Sequence, residues 1–258
     1  AKSNGTAIFT QDVELPGMLT ALVLHPPRFG ARVKSFDASG LKAVPGVRAV
    51  LELPTGVAVL ATGFWAAKTG RDALKVEWND SRSWRGSTDE LMAEYRKLAQ
   101  APGKVARADG DAAKALADAA KVLEATFEFP YLAHAAMEPL NCVMRLTEGR
   151  CEAWYGAQSQ TADQAAIAQV TGLKPEQVTI ETLYAGGSFG RRANPQSDYV
   201  VECAEIVSRL ATSGTRGVPV KLVWTREDDM RAGYYRPAYL HTLRAGLDAS
   251  GTIVGWQH

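Results

Sequence analysis

The sequence predicts a protein of the α+β class, in which short strands and helices are mixed along the whole chain. Apolar and β-branched runs of strand length recur from the first 80 residues to the end. Stretches with helical spacing of their apolar residues lie between these runs. Hydrophobic residues make up 46% of the 258 residues and charged residues 22%, which is ordinary for a chain that buries a core.

Residues 1–80 are predicted to form a first domain. Strands are expected at four apolar runs: Leu19–Leu24, Arg48–Leu53, Val57–Ala61 and Lys75–Trp78. Helical spacing predicts short helices at Phe36–Val44 and Trp65–Leu74. Proline and glycine interrupt regular structure, and they separate several of these elements, as at Pro26-Pro27 and Pro45-Gly46.

Residues 81–112 are predicted to connect two domains, because they are polar and lack a steady strand period. One helix is expected here, from about Thr88 to Gln100. Ser87 or Thr88 would cap it, and acidic residues occupy its first turn.

Residues 113–258 are predicted to be the first part of a second, β-rich domain. Strands are expected at five runs: Val122–Phe129, Leu140–Leu146, Cys151–Tyr155, Val178–Leu183 and Val218–Trp224. Helices are expected at Thr161–Val170, closed by Gly172, and at Pro195–Leu210. Ile253–Trp256 has the pattern of a returning hairpin strand close to the last residue. We therefore expect this domain to be truncated, and both termini to be cut from a longer protein.

Composition and charge disfavour several classes of function. The net charge of +1 gives no strong field for nucleic acid or an acidic membrane. No stretch approaches the roughly 18 consecutive apolar residues of a membrane helix. The three cysteines (Cys142, Cys151 and Cys203) form no Cys-x-x-Cys pair, and the four histidines show no metal-binding spacing. No metal or cluster held by this chain's own side chains is predicted.

The most distinctive feature is Ala185–Arg192, which we call the glycine loop, between a predicted strand and a predicted helix. Its glycines allow tight turns and a close approach of backbone N–H groups to a ligand. The following helix N-terminus and the two arginines, Arg191 and Arg192, would favour an anionic group. The alternative is a connecting turn with solvated arginines, and the loop alone does not decide between the two interpretations.

A second segment, residues 132–139, contains His134 and Glu138 near the end of a predicted strand. These two side chains could be metal ligands. Because no third ligand accompanies them, we favour a hydrogen-bonded core histidine and a glutamate that caps or orients a neighbour.

Two further segments carry polar groups at the ends of strands. In Trp154–Gln160, Gln158 or Gln160 could donate an amide hydrogen to a bound oxo or carbonyl group, or the turn could cap a helix. Trp224–Asp229 is densely charged, which is typical of a solvated loop with weak ion pairs, although it could also support a site. Arg236 likewise fits a surface turn.

In this order along nearly the whole chain, the segments resemble the molybdopterin-binding subunit of the xanthine dehydrogenase/aldehyde oxidase family. Gly186-Gly187-Ser188-Phe189-Gly190 matches the family's G-G-x-F-G cofactor loop. Arg191-Arg192 indicates the branch that contains isoquinoline 1-oxidoreductase and membrane-associated bacterial aldehyde dehydrogenases. Gln158, which lies 186 − 158 = 28 residues before the first glycine, resembles the family's glutamine near the molybdenum oxo group, with Gln160 as the fallback. His134–Pro139, Trp224–Glu227 and Arg236-Pro237 fit the same pattern.

The resemblance implies an a/b hammerhead domain at residues 1–80 and part of a molybdopterin-binding domain at residues 113–258. It implies that the whole protein oxidises an aldehyde or N-heteroaromatic substrate with oxygen derived from water. The implied cofactor is molybdopterin cytosine dinucleotide, approached by the backbone of Gly186–Gly190 and by Arg191 or Arg192. The implied partners are a small subunit with a [2Fe–2S] cluster and a cytochrome c subunit, in the periplasm.

Two departures from the family pattern limit these expectations. Ala193 stands where some relatives place a substrate-binding glutamate, which disfavours purine substrates. The family's Gly-x-Gly-Glu motif with the general base does not occur, so these residues alone are expected to be inactive. The alternatives are a phosphate- or nucleotide-binding module and a subunit-docking module, both without catalysis.

Overall fold

The computed structural model describes residues 1–258 and contains twelve strands and six α-helices. The strands are β1 (Leu19–Leu24), β2 (Arg32–Asp37), β3 (Val47–Leu53), β4 (Gly56–Ala61), β5 (Lys75–Asn79), β6 (Lys121–Phe129), β7 (Asn141–Thr147), β8 (Arg150–Tyr155), β9 (Val178–Thr182), β10 (Val220–Val223), β11 (Tyr239–Leu247) and β12 (Ile253–Gln257). The helices are α1 (Phe64–Ala73), α2 (Thr88–Leu98), α3 (Ala112–Ala117), α4 (Gln160–Thr171), α5 (Asp198–Thr212) and α6 (Arg226–Arg231). The predicted mixed α/β class is confirmed.

The chain divides into two compact units, each built from two separate stretches. The first unit comprises residues 1–84 and 133–234, and the second comprises residues 85–132 and 235–258. The limits of these units differ from the predicted domain boundaries. One reason is that β1, near the start of the first unit, pairs directly with β10, near its end. The division into domains 1–80, 81–112 and 113–258 stays a prediction.

A seven-stranded sheet in the order β3-β4-β1-β10-β7-β8-β9 forms the centre of the first unit. Its neighbouring strands are antiparallel except for the parallel pairs β1–β10 and β8–β9. Helices cover both faces: α5 packs against β7 and β10, and α1 packs against β1 and β4. The largest cluster of buried residues lies between the sheet and α4 and α5, and contains the three free cysteines.

The burial of β1 explains its continuous apolar sequence. Ala21 and Val23 belong to the core on the α5 side of the sheet, whereas Leu22 belongs to the cluster beneath α1. A strand that is buried on both faces has no reason to alternate polar and apolar residues. The separate two-stranded sheet β2–β5 completes the first unit.

The second unit is a three-stranded antiparallel sheet in the order β12-β11-β6, with α3 against β11 and β12 and with α2 near β11. Gly246 and Gly255 are directly paired in this sheet, and α3 lies over them. A Cβ at Gly255 would fall 3.1 Å from the Cβ of Ala115, so the absence of a side chain lets the helix come close.

Several predicted elements need correction. The helix predicted at Phe36–Val44 is wrong, because β2 extends to Asp37 and only a 3₁₀ turn follows, at Ser39–Ala43. The helix predicted to start at Pro195 begins at Asp198, after Ser197 adopts a left-handed φ of 49°. The charged stretch after β10 forms the short helix α6, which had been interpreted as a loop. No helix is both long and apolar enough to cross a membrane.

The first turn of α2 offers a test of local structure. Ser87 accepts a hydrogen bond from the Glu90 backbone N–H at 3.2 Å, and the Glu90 carboxylate accepts one from the Ser87 N–H at 2.7 Å. We expect Ser87→Ala to lower the free energy of unfolding by about 1 kcal/mol, since it removes an N-terminal cap. Urea unfolding followed by circular dichroism measures this change, with Ser81→Ala as the control. Equal stabilities of the two variants would contradict the capping role.

Candidate functional site

The glycine loop follows β9 and leads into α5, as the sequence predicted. Three of its residues have positive φ: Gly187 at +103°, Phe189 at +54° and Gly190 at +97°. Phe189 is not a glycine, so its left-handed conformation is strained and depends on its surroundings. The bend leaves the Phe189 side chain largely exposed, at 67%. The loop therefore presents an aromatic ring and an irregular backbone at the surface of the first unit.

Gly186 fastens the loop to residues 132–139. Its N–H donates to Glu138 Oε2 at 2.7 Å, and the Glu138 N–H donates to the Gly186 carbonyl at 3.1 Å. A Cβ at Gly186 would fall 2.6 Å from the Cβ of Glu138. No side chain fits at that distance, so glycine is required for this close approach.

Glu138 accepts hydrogen bonds from three different residues. Besides Gly186, these are Asn141 Nδ2, at 2.9 Å, and Arg192 Nη2, at 3.1 Å. Its side chain is only 11% exposed. The carboxylate thus joins the glycine loop to the start of β7, which supports the interpretation of Glu138 as an orienting residue. No group of three or more His, Cys, Asp or Glu side chains is arranged to hold a metal ion.

The two arginines of the loop are buried, at 3% and 1% exposure. Arg191 forms a two-pronged ion pair with Asp198, with distances of 3.1 and 2.6 Å. Arg192 binds Glu138 and donates from Nε to the Gly187 carbonyl at 3.2 Å. The interpretation of solvated arginines in a simple turn is therefore wrong. Asp198 is also the first residue of α5, so a carboxylate of the chain itself already lies at this helix N-terminus.

Gln158 lies beside the glycine loop, whereas Gln160 does not. The Ser188 hydroxyl donates to Gln158 Oε1 at 2.5 Å, and the same hydroxyl accepts from the Arg192 backbone N–H at 3.2 Å. Gln160 is the first residue of α4 and donates to Thr182 Oγ1, at 3.3 Å. The structure brings the preferred glutamine, and not the fallback, to the loop. Gln158 is exposed, and because its carbonyl oxygen is engaged, its amide N–H groups are the donors left for a ligand.

Arg226, in α6, supports the same region from the other side of residues 132–139. Its Nη2 donates to the Ala136 carbonyl at 2.6 Å and to the Met137 carbonyl at 3.0 Å, and its Nη1 donates to Asp229. Thr225 caps the helix by accepting from the Asp228 N–H. Of the two interpretations of Trp224–Asp229, a solvated loop or support for a site, these contacts favour the second. Arg236, in contrast, pairs through its backbone with Leu132 in the second unit.

A buried ionic network was not found from the sequence. His25 Nε2 lies 2.8 Å from Glu202 Oε1, and His25 Nδ1 lies 3.9 Å from Asp228 Oδ1. Glu202 also accepts from Trp224 Nε1 at 2.8 Å, and Asp228 pairs with Arg71 at 2.6 Å. Burial alone would lower the pKa of His25, but the charges of Glu202 and Asp228 outweigh it and raise that pKa to about 10. These residues come from four distant parts of the chain, so no local spacing indicates them.

The role of Glu138 can be tested through the stability of the first unit. We expect Glu138→Gln to lower the free energy of unfolding by about 2 kcal/mol, because it weakens three hydrogen bonds and leaves the buried Arg192 without its counter-ion. Chemical denaturation measures this loss. Glu148→Gln, in the exposed turn between β7 and β8, is the matched control. Unchanged stability of Glu138→Gln would show that the carboxylate does not hold the loop.

A family model described as "Molybdopterin cofactor-binding domain" matches residues 98–258. The chain is 31% identical to isoquinoline 1-oxidoreductase subunit beta of Brevundimonas diminuta, over 100% of this chain and 33% of that protein. It is 32% identical to a membrane-bound aldehyde dehydrogenase [pyrroloquinoline-quinone] of Gluconacetobacter polyoxogenes, over 100% of this chain and 34% of that protein. The chain therefore spans about a third of the length of these relatives.

Solved structures show the same fold. Quinoline 2-oxidoreductase from Pseudomonas putida 86 superposes with a TM-score of 0.74 at 18% identity, over 99% of this chain and 37% of that one. The Cu,Mo-CO dehydrogenase superposes with a TM-score of 0.74 at 21% identity, over 99% and 38% of the two chains.

Proposed function

Because the chain belongs to the molybdopterin cofactor-binding family, we propose that its glycine loop and Gln158 form one side of a molybdenum–pterin site in a larger oxidoreductase. The single observation that carries this proposal is the hydrogen bond between Ser188 and Gln158. It joins the two features that the sequence pattern assigns to this cofactor, although they are separated by a helix and a strand.

The residues present fit such a cofactor. The site offers neutral amide donors and backbone groups, and the pterin would supply the metal's sulfur ligands, so no cluster of protein ligands is needed. When bound, the molybdenum supplies two-electron oxidation chemistry and activates water at neutral pH. Gln158 would donate an amide N–H to the cofactor, and the backbone of Gly187–Gly190 would help to hold it. Glu138 and Arg226 hold this surface in place through their hydrogen bonds to Gly186, Arg192 and residues 136–137.

The whole protein is proposed to oxidise an aldehyde or an N-heteroaromatic compound. The names of the two curated relatives support these substrate classes, and Ala193 disfavours purines. One of those names includes pyrroloquinoline quinone, whereas the matching family model concerns molybdopterin, and we propose the latter cofactor, in its cytosine dinucleotide form. A [2Fe–2S] subunit and a cytochrome c subunit would receive the electrons, in the periplasm.

A phosphate- or nucleotide-binding module without catalysis is less well supported. That interpretation relied on Arg191 and Arg192 as anion-binding groups, and both guanidinium groups are buried and paired with carboxylates of the chain. A module that only docks a partner subunit would not require the contact between Gln158 and Ser188.

The test is the molybdenum and nucleotide content of the full-length protein, purified from a host that makes the cofactor. We expect close to one molybdenum per chain, together with release of CMP when the cofactor is hydrolysed. A folded full-length protein with neither molybdenum nor pterin would refute the proposal. Release of a different nucleotide would correct only the form of the cofactor.

A further inference from the structure

A cavity of about 460 Å³ lies in the first unit, on residues to which the proposed cofactor site assigns no role. Its lining includes His25, Trp224, Pro26 and Pro27, together with the carboxylates of Asp198 and Glu202. Four arginines also line it: Arg28, Arg32, Arg82 and Arg231. Its volume lies within the range of pockets that take one small molecule.

Positive charge exceeds negative charge around this cavity, because its two carboxylates, Asp198 and Glu202, already pair with Arg191 and His25. Arg28 is paired with Asp80 at 2.9 Å, whereas Arg32, Arg82 and Arg231 form no ion pair and are exposed. A guanidinium group stays charged at any physiological pH, so these side chains cannot reduce their mutual repulsion by losing a proton. An anion in the cavity would reduce it and would supply acceptors for several N–H donors at once.

Two of the loops that line the cavity are fixed to each other by their backbones. The Trp84 N–H donates to the Phe29 carbonyl at 3.0 Å, which ties the loop after β1 to the loop after β5. Gly30 has a φ of +87°, and a Cβ on it would fall 2.6 Å from the carbonyl oxygen of Arg82. The backbone at Gly30 therefore packs against the backbone of Arg82 before any ligand arrives, which fixes the base of the Arg82 side chain and reduces the entropy lost on binding.

We infer that this cavity binds a small, multiply charged phosphate anion of the diphosphate class, through Arg32, Arg82 and Arg231. Planar guanidinium groups match phosphate oxygens in pairs, and three such groups without counter-ions favour a ligand with several negative charges. None of the residues that line the cavity belongs to the glycine loop, but the cavity adjoins it, because the lining residue Asp198 pairs with Arg191. This inference does not depend on molybdenum. The ligand is either a free diphosphate or the diphosphate part of a nucleotide.

Isothermal titration calorimetry with inorganic pyrophosphate, on the full-length protein, tests the inference. We expect Arg82→Gln and Arg231→Gln each to raise the Kd about 10-fold, and the double variant to raise it about 100-fold. Arg209→Gln is the control, because Arg209 lies on α5, pairs with Glu205 and does not line the cavity. Absence of binding to the unmodified protein would overturn the inference, and so would equal binding by the double variant.

A second variant separates geometry from charge. Gly30→Ala keeps every arginine but forces the loop away from Arg82, so we expect this variant to bind pyrophosphate more weakly. The arginine variants are expected to keep the melting temperature of the unmodified protein. If Gly30→Ala binds as well as the unmodified protein while the arginine variants do not, the arginines act without the loop contact and the cavity is still the site. Titration with CDP alongside pyrophosphate identifies the source. Tighter binding of CDP indicates a nucleotide, and equal binding indicates free diphosphate.

Discussion

Gln158→Ala is expected to lower the kcat of the full-length enzyme by about 10²–10³-fold while its molybdenum content stays the same. Removing one preorganised hydrogen-bond donor from the atoms that gain charge in a reaction typically costs this much. The Gln158 carbonyl is already held by Ser188 at 2.5 Å, so its amide donors are preorganised before substrate arrives. Steady-state kinetics per bound molybdenum, with the aldehyde or heteroaromatic substrate found for the enzyme, measure the effect.

Gln160→Ala is the matched control for this prediction. Gln160 lies two residues away and contacts Thr182 instead of the glycine loop, so we expect a change of less than about twofold. Equal losses for the two variants would mean that the turn before α4 matters only for structure. Loss of molybdenum from Gln158→Ala would assign Gln158 to cofactor retention instead of turnover. Ser188→Ala should give a smaller loss of kcat than Gln158→Ala, because it removes the group that orients the amide and not the donor.

The second large effect concerns His25. We expect His25→Leu to lower the free energy of unfolding by about 3–5 kcal/mol, since it leaves the buried Glu202 and Asp228 carboxylates without a shared cation. The Glu202 side chain is only 1% exposed, so water cannot replace the histidine. Urea unfolding of the full-length protein measures the loss, with His258→Leu as the control at an exposed position. A loss below about 1 kcal/mol would show that the network is dispensable.

The same network predicts how stability depends on pH. The folded-state pKa of His25 is raised from 6.5 to about 10, so the folded protein holds this proton more tightly than the unfolded chain. The contribution of His25 is therefore complete below pH 6.5 and is lost as the pH rises through about 10. Burial alone would raise the pKa of Asp228, but His25 and Arg71 lower it below 3.8, so its contribution is lost in acid. Between pH 6.5 and 10, the free energy of unfolding of the unmodified protein should fall as the pH rises. That of His25→Leu should change much less over the same range.

Local sequence patterns predicted most of the strands and helices. Ten of the twelve strands overlap predicted ones, because a run of apolar residues marks a buried strand and alternation marks a strand with one polar face. Strands β2 and β11 were not predicted, and α6 was interpreted as a loop. β2 is mostly exposed and amphipathic, and its end was mistaken for a helix. In α6, five of the six residues are charged, which is typical of a solvated loop, although Thr225 caps the helix.

Only part of the candidate site could likewise be predicted from the sequence. The resemblance predicted the glycine loop and Gln158, with Gln160 as the fallback, and the fold places Gln158 against the loop and Gln160 against Thr182. The pairing of Arg192 with Glu138 joins residues 54 positions apart, and that of His25 with Glu202 joins residues 177 apart. Such contacts leave no spacing in the sequence, so the buried state of the arginines and the ionic network could not be predicted.

The order of strands in the seven-stranded sheet has a consequence for biosynthesis. β10 lies at its centre, between β1 and β7, yet it is the last of the seven strands to leave the ribosome. Until Val223 has been translated, β1 and β7 each have an open edge lined by apolar side chains, and such edges invite wrong partners. Leu19 pairs with Val220, so this contact cannot form until nearly all of the given sequence has been synthesised. A chaperone that shields nascent strands should therefore raise the yield of this protein more than a stronger promoter would.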